Sequence, residues 1–240
     1  VFFPSQRVKG VLAQRLTDML PPSMSVSIER VSPRFPPGLT LHSVTLSQGE
    51  NKVGEVARVV VNPIASLLFT SGSGVTYKGQ ALSGTFEGRS LWGTETPQSA
   101  QVDLAFRGLK FKDAPGLQQL LRGDVAGTAE GELSYRQESE NNRSGKGEFR
   151  VTDGALSLEE PMYGMSSLRM LEVDAVFELD DSTLNITKLN VQTEALTGDA
   201  TGEVKLKNSL SRSTVALTAK VNVREQASQG KSKQETIPEE

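Results

Sequence analysis

The groups able to do acid–base or nucleophilic chemistry in this chain are sparse and scattered. It has one histidine, His42, and no cysteine. A general base needs a nucleophile within hydrogen-bond reach. No serine stands in a G-x-S-x-G turn, and no paired acidic motif accompanies His42, which therefore reads as structural or solvent-facing. With no thiolate and a single imidazole, neither a cysteine zinc site nor an H-E-x-x-H site can be assembled. Gly72-Ser73-Gly74 is the nearest approach to a phosphate loop, but the Lys-Ser/Thr ending and the following helix are missing, so a flexible turn is the expectation. The acid pairs Glu159-Glu160 and Asp180-Asp181 sit in turn-like stretches, where solvated charge is the ordinary state and weak cation binding a distant second. No catalytic residue, metal ligand or cofactor is assigned. The chain reads as non-enzymatic.

Composition narrows the partners. The 26 Lys and Arg are scattered among 29 Asp and Glu, for a net charge of -3, so no basic footprint for nucleic acid emerges. Aromatic residues make up 5%, which gives a mainly aliphatic core and argues against a ring-stacking sugar site. No run approaches the roughly 18 apolar residues of a membrane-spanning helix. The sequence opens Val1-Phe2-Phe3-Pro4 without an initiator Met, from which a hydrophobic anchor upstream is expected.

The apolar residues that could bind something lie on elements of two kinds. Over residues 5–20, Val8, Val11, Leu12, Leu16, Met19 and Leu20 recur three and four apart, predicting an amphipathic helix stopped by Pro21 and Pro22. Such a helix can lie on a membrane surface or cap a sheet edge; the modest flanking positive charge favours the cap. Beyond the prolines the period becomes two, beginning with Met24, Val26 and Ile28. Three segments then share one spacing: Leu39, Leu41, Val44, Leu46; Leu104, Phe106, Leu109, Phe111; and Leu184, Ile186, Leu189, Val191. Each changes phase midway. A two-residue gap in a period of two flips the inward face unless the strand is bulged or bent, so kinks are expected at His42-Ser43, Arg107-Gly108 and Thr187-Lys188.

Further strands are expected at 55–61, 74–79, 81–87, 125–135, 147–152, 171–179, 198–206 and 214–223, about a dozen in all. The last alternates Val215, Leu217, Ala219, Val221 and Val223 against Thr214, Thr218, Lys220 and Asn222. Glycines recur at strand openings in GTFEG, GTAEGEL, GKGEFRV and GDATGEVKL, as in a sheet that curls as it grows. Short helices are expected at 63–69, 115–122 and 161–170. The fold class is therefore mainly β: a large, strongly twisted and curved antiparallel sheet, groove-like or a partly open barrel, with an N-terminal amphipathic helix. Residues 1–22 form that helix and 23–223 the β domain, with a sub-boundary possible near 95–100 or 137–145. The polar, aperiodic 224–240 forms a disordered tail.

The helix running into SVSIERVSPRFPPGLTLHSVTLSQ, followed by VARVVVNPIASLLFTSG and glycine-opened strands, resembles the type II secretion system protein N family. The later DGALSLEEPMYGMSSLRMLEVDAVFELDDSTLNITKLNVQTEALTGDATGEVKL is similar to the C-terminal module of AsmA-like envelope proteins. Together these stretches cover nearly all of the chain up to Val223. The resemblance implies a bacterial periplasmic body tethered to the inner membrane by a preceding helix, with a curved sheet open along one side. It supplies no catalytic motif.

Two functions follow as expectations. One is an accessory component of a type II secretion system that docks other envelope proteins through its sheet edges. The other is a lipid-binding or lipid-transfer protein that holds the acyl chains of a phospholipid. Its candidate groove residues are Leu184, Ile186, Leu189, Val191, Val215, Leu217, Val221 and Val223. Alternation marks a buried face without saying what buries it, so a closed core remains open beside the groove.

Overall fold

The structure is a computed structural model. It describes residues 4–18, 23–35, 37–64, 72–93, 99–121, 123–139, 142–162, 165–194, 196–206 and 213–223. One helix, α1 (Ser5–Asp18), precedes five strands: β1 (Met24–Arg34), β2 (Gly38–Gln48), β3 (Asn51–Pro63), β4 (Gly72–Ala81) and β5 (Gly84–Gly93). β6 (Ala100–Lys110) leads through a 3-10 turn (Phe111–Asp113) into the short α2 (Pro115–Leu121). Six strands complete the chain: β7 (Gly123–Ser139), β8 (Asn142–Met162), β9 (Met165–Asp180), β10 (Thr183–Thr193), β11 (Leu196–Lys205) and β12 (Thr214–Val223).

Every strand pairs antiparallel with the next in sequence, giving one 12-stranded meander in the order β1 to β12. The sheet is not closed into a barrel. Pairing continues from β5 to β6 and from β7 to β8, the latter with two register shifts.

The phase changes appear where the apolar spacing requires them. On β6, Phe106 and Leu109 stand opposite Gly131 and Ala129 of β7, so three steps on one strand match two on the other and Gly108 takes a φ of 68°. That bulge keeps Leu104, Phe106 and Leu109 on one face. On β10, Ile186 and Leu189 likewise stand opposite Gly202 and Ala200 of β11. At His42-Ser43 the solution differs. Leu41 and Val44 face Val31 and Ile28 on one side and Val59 and Val56 on the other, so three strands carry the extra residue in step and Ser43 sits at a φ of 48°.

The helix α1 lies on the sheet at its first edge. Val8, Leu12 and Ala13 pack against the buried Ile28, Val31 and Leu41, which is the capping role expected of its apolar stripe. It also satisfies edge backbone groups: the Val26 N–H donates to Thr17 Oγ1 at 2.9 Å and Lys9 Nζ donates to the Glu29 carbonyl at 3.4 Å. α2 packs against β3 and β7, four strands apart, which only a curled sheet brings within reach of a seven-residue helix.

Three expectations need correction. The described residues of 161–170 are strand, not helix: β8 runs on to Met162 and β9 starts at Met165, with Met162 opposite Met165. The paired backbone of two long strands overrides the local three-residue spacing of Met162, Met165 and Leu168. Phe111 falls outside β6 and opens the 3-10 turn. Glu159-Glu160 lie within β8 rather than a turn, whereas Asp180-Asp181 do close the β9–β10 hairpin, with Asp181 at a φ of 49°. The helix expected at 63–69 falls largely outside the described residues, its first residue, Pro63, ending β3. The tail at 224–240 lies outside them altogether.

Candidate functional site

Residues directly opposite each other in an antiparallel pair project to the same side of the sheet, so the registers trace each face strand by strand. One row crosses all twelve strands: Val31, Leu41, Val59, Gly79, Phe86, Phe106, Gly131, Phe149, Ala175, Leu189, Ala200 and Ala219. No member is polar. The neighbouring row carries Ile186 opposite Gly202, and Gly202 opposite Leu217; the next carries Leu184 opposite Val204, and Val204 opposite Val215. Val191 is opposite Gly198, which is opposite Val221. The structure thus brings Leu184, Ile186, Leu189, Val191, Val215, Leu217 and Val221 onto a single face, and sets Val223 opposite Leu196 in the same ladder.

What covers that face changes along it. At β1 and β2 it is roofed by α1, and the cluster of Ile28, Val31 and Leu41 is buried. Through β7 to β9, Val125, Ala129, Val151 and Ala175 are buried. Beyond them cover is lost: Leu184, Ile186, Leu189 and Val191 are half-buried. Val215, Leu217 and Val221 of β12 are 59%, 46% and 60% exposed. Trp92, on the same face of β5, is 42% exposed. A closed core is therefore not what the described residues form at the β12 end.

Sequence reasoning found Phe106 as part of an apolar strand pattern but not Tyr77, Phe86, Phe149 or Phe177 on this face. Rings lie across glycines of the adjacent strand, and the place where a Cβ of Gly79 would stand is within 2.6 Å of Phe86 Cε1. The equivalent place at Gly147 lies 2.5 Å from Phe177 Cζ and 2.6 Å from Leu133 Cδ2. Tyr77 with Phe86 and Phe149 with Phe177 meet at ring-centroid distances of 6.4 Å, tilted by 51° and 58°. Side-chain-free positions beneath rings keep the face low and continuous. The signal was present as glycines and Phe two residues apart in GTFEG, but the pairing depends on register, which spacing alone does not give.

The opposite face is charged and laced by cross-strand pairs. Asp103 accepts hydrogen bonds from Arg89 Nε at 2.7 Å, Ser134 Oγ at 2.9 Å and Gln101 Nε2 at 3.1 Å. The bond from the Arg89 guanidinium outweighs the burial cost and, with lesser help from Ser134 and Gln101, holds the Asp103 carboxyl below its ordinary range. Arg150 Nε bridges Asp174 at 2.8 Å and Glu172 at 3.0 Å, and its pKa is raised, chiefly by the bond to Asp174. His42 is on this face too, with its Nε2 3.5 Å from Arg30 Nη2. Gly72-Ser73-Gly74 opens the regular strand β4 and forms no turn that could cradle phosphate.

Among the described residues the arrangement offers two binding features: an apolar face left uncovered towards β12, and the outer edge of β12, with which no other strand pairs. No protein-family model, curated protein or solved structure matches the chain.

Proposed function

We propose that this chain is a non-enzymatic accessory component of a type II secretion system, held in the bacterial periplasm at the inner membrane, that docks other envelope proteins through β12. The carrying observation is the contrast between the two sheet edges. Helix α1 occupies backbone groups of the β1 edge. β12 pairs with β11 over ten consecutive residues without a register shift, and is the last strand of the sheet. It is long and regular, with one Lys and no Pro, so it lacks the features that blunt an edge and suits strand addition by a partner. The resemblance to the type II secretion system protein N family supports the cellular setting.

Proline scanning tests this. Along an edge strand, successive N–H groups alternate between the ladder and solvent. Of Ala216→Pro and Leu217→Pro, one removes an outward N–H while sparing the ladder. That variant should remain folded but lose cross-linking to secretion components from a photoreactive residue at Thr218. Unchanged cross-linking and secretion in both variants would remove the edge-docking reading.

A second reading is favoured by the open apolar face. As a lipid-binding protein, the chain would lay acyl chains over β10 to β12, each methylene removed from water contributing about 0.8 kcal/mol. Native mass spectrometry of protein purified from envelope should then show phospholipid at a fixed ratio, lost in Leu217→Asp and Ile186→Asp. A lipid-free protein argues for edge docking alone.

A further inference from the structure

We propose that the polar face of the sheet, opposite the apolar one, binds a phosphate-bearing ligand between Arg34, Arg58 and Arg107. One cross-strand row on this face runs Arg30, His42, Arg58, Gln80, Thr85, Arg107 over β1 to β6, and it contains no carboxylate. A cavity of about 440 Å³ opens beside it, lined by Arg34, Arg58, Lys78 and Arg107 with Glu87 as its one carboxylate. Glu87 is already paired with Lys78 at 2.6 Å. Among the described residues Arg34, Arg58 and Arg107 are in no ion pair, although Arg107 acts on Glu87 at longer range.

The positive charge is local. The adjoining cavity is lined by Glu130, Glu132, Glu148 and Asp174 against Arg107 and Arg150, and the whole chain is net negative. An anion is therefore drawn to this one stretch of the face. Arg58 and Arg107 are three strands apart, roughly 14 Å at the backbone, yet their side chains line one cavity. Guanidinium forks lining one cavity suit phosphate oxygens, with Gln80 and Thr85 in the same lining as neutral hydrogen-bonding groups. A phosphate's higher charge answers the surplus of cations better than a single carboxylate does. The phosphate can belong to a soluble ligand or to a lipid headgroup.

The test uses the full chain and two probes. Calorimetry with inorganic pyrophosphate at low salt reads a soluble ligand. Flotation with phosphatidylcholine vesicles, with and without phosphatidylglycerol, reads a headgroup. We expect one of these probes to bind, with Arg58→Gln plus Arg107→Gln weakening it roughly tenfold. Arg58→Lys plus Arg107→Lys, which keeps charge and loses the fork, should fall between the two. Arg34→Gln gives an independent reading should the pair disturb folding. Arg143→Gln plus Arg169→Gln removes equal charge elsewhere and should leave affinity unchanged. Leu217→Asp on the apolar face should leave pyrophosphate binding intact, so this site and the lipid reading fail separately. Binding by neither probe, equal weakening in the Arg143 and Arg169 control, or capture of a polyglutamate peptide in place of both probes would overturn the site.

Discussion

Gly131 of β7 stands between two rings. A Cβ there would meet the Glu148 carbonyl oxygen, a backbone atom, and come within 2.9 Å of Phe106 Cζ. Neither strand can yield without disturbing its ladder, so Gly131→Ala should cost about 1–3 kcal/mol, read from urea midpoints. Gly54 has no neighbour within 4 Å of the same position, and Gly54→Ala should be neutral or slightly stabilising. Asp103 makes a second residue-scale prediction. Its folded pKa lies below the usual value, so the unfolded chain binds this proton more readily. The stabilisation is complete above the unfolded value of about 3.9 and is lost as pH falls through the folded one. Asp103→Asn should therefore lower stability at pH 6 and show a shallower acid limb between pH 4 and the folded pKa. An unchanged acid limb would mean that solvent screens the Arg89 pair to nothing.

At the scale of elements, α1 is held by one stripe. Leu12 is half-buried on the Ile28, Val31 and Leu41 cluster, whereas Val11 is 61% exposed. Leu12→Ala should destabilise by about 1–2 kcal/mol and Val11→Ala by less than about 0.5 kcal/mol; equal effects would mean that the helix packs by another face. This helix was legible because an apolar stripe at helical spacing has one common cause. The kinks at Gly108 and Thr187 were legible for a similar reason: a phase slip in a one-faced strand must be absorbed by an extra residue. Residues 161–170 misled because Met162, Met165 and Leu168 carry a three-residue spacing while the partner strand's hydrogen bonds decide the conformation. That the groove candidates share one face was readable from alternation, since each strand declares its own apolar side. Their exposure was not, because cover depends on elements elsewhere in the chain, and among the described residues α1 packs on β1 and α2 on β3 and β7, which leaves the far strands bare. The basic row escaped notice for the same kind of reason: Arg30, Arg58 and Arg107 are distant in sequence and fall in one row only through five successive strand pairings.

For the molecule as a whole, burial is graded rather than uniform. The buried apolar residues lie in β1, β2 and β7 to β9, and among the described residues none lies in β10, β11 or β12. Local opening costs least where backbone hydrogen bonds have little apolar cover. Amide exchange should therefore be fastest in β12, slower in β11 and β10, and slowest in β7 to β9 and beneath α1. The same measurement separates the two functional readings, because they cover different parts of the gradient. Acyl chains laid on the apolar face would slow exchange across β10 to β12 together, since the ladder can open only by expelling them. A partner strand added at the edge would protect alternate amides of β12, those pointing outward, and leave β10 nearly unchanged. Exchange that is equally slow across all twelve strands in the isolated protein would require the apolar face to be already covered, as in self-association through it. That outcome would set aside the open face, and with it the lipid reading, while leaving the β12 edge and the basic cavity on the opposite face to be judged by their own variants.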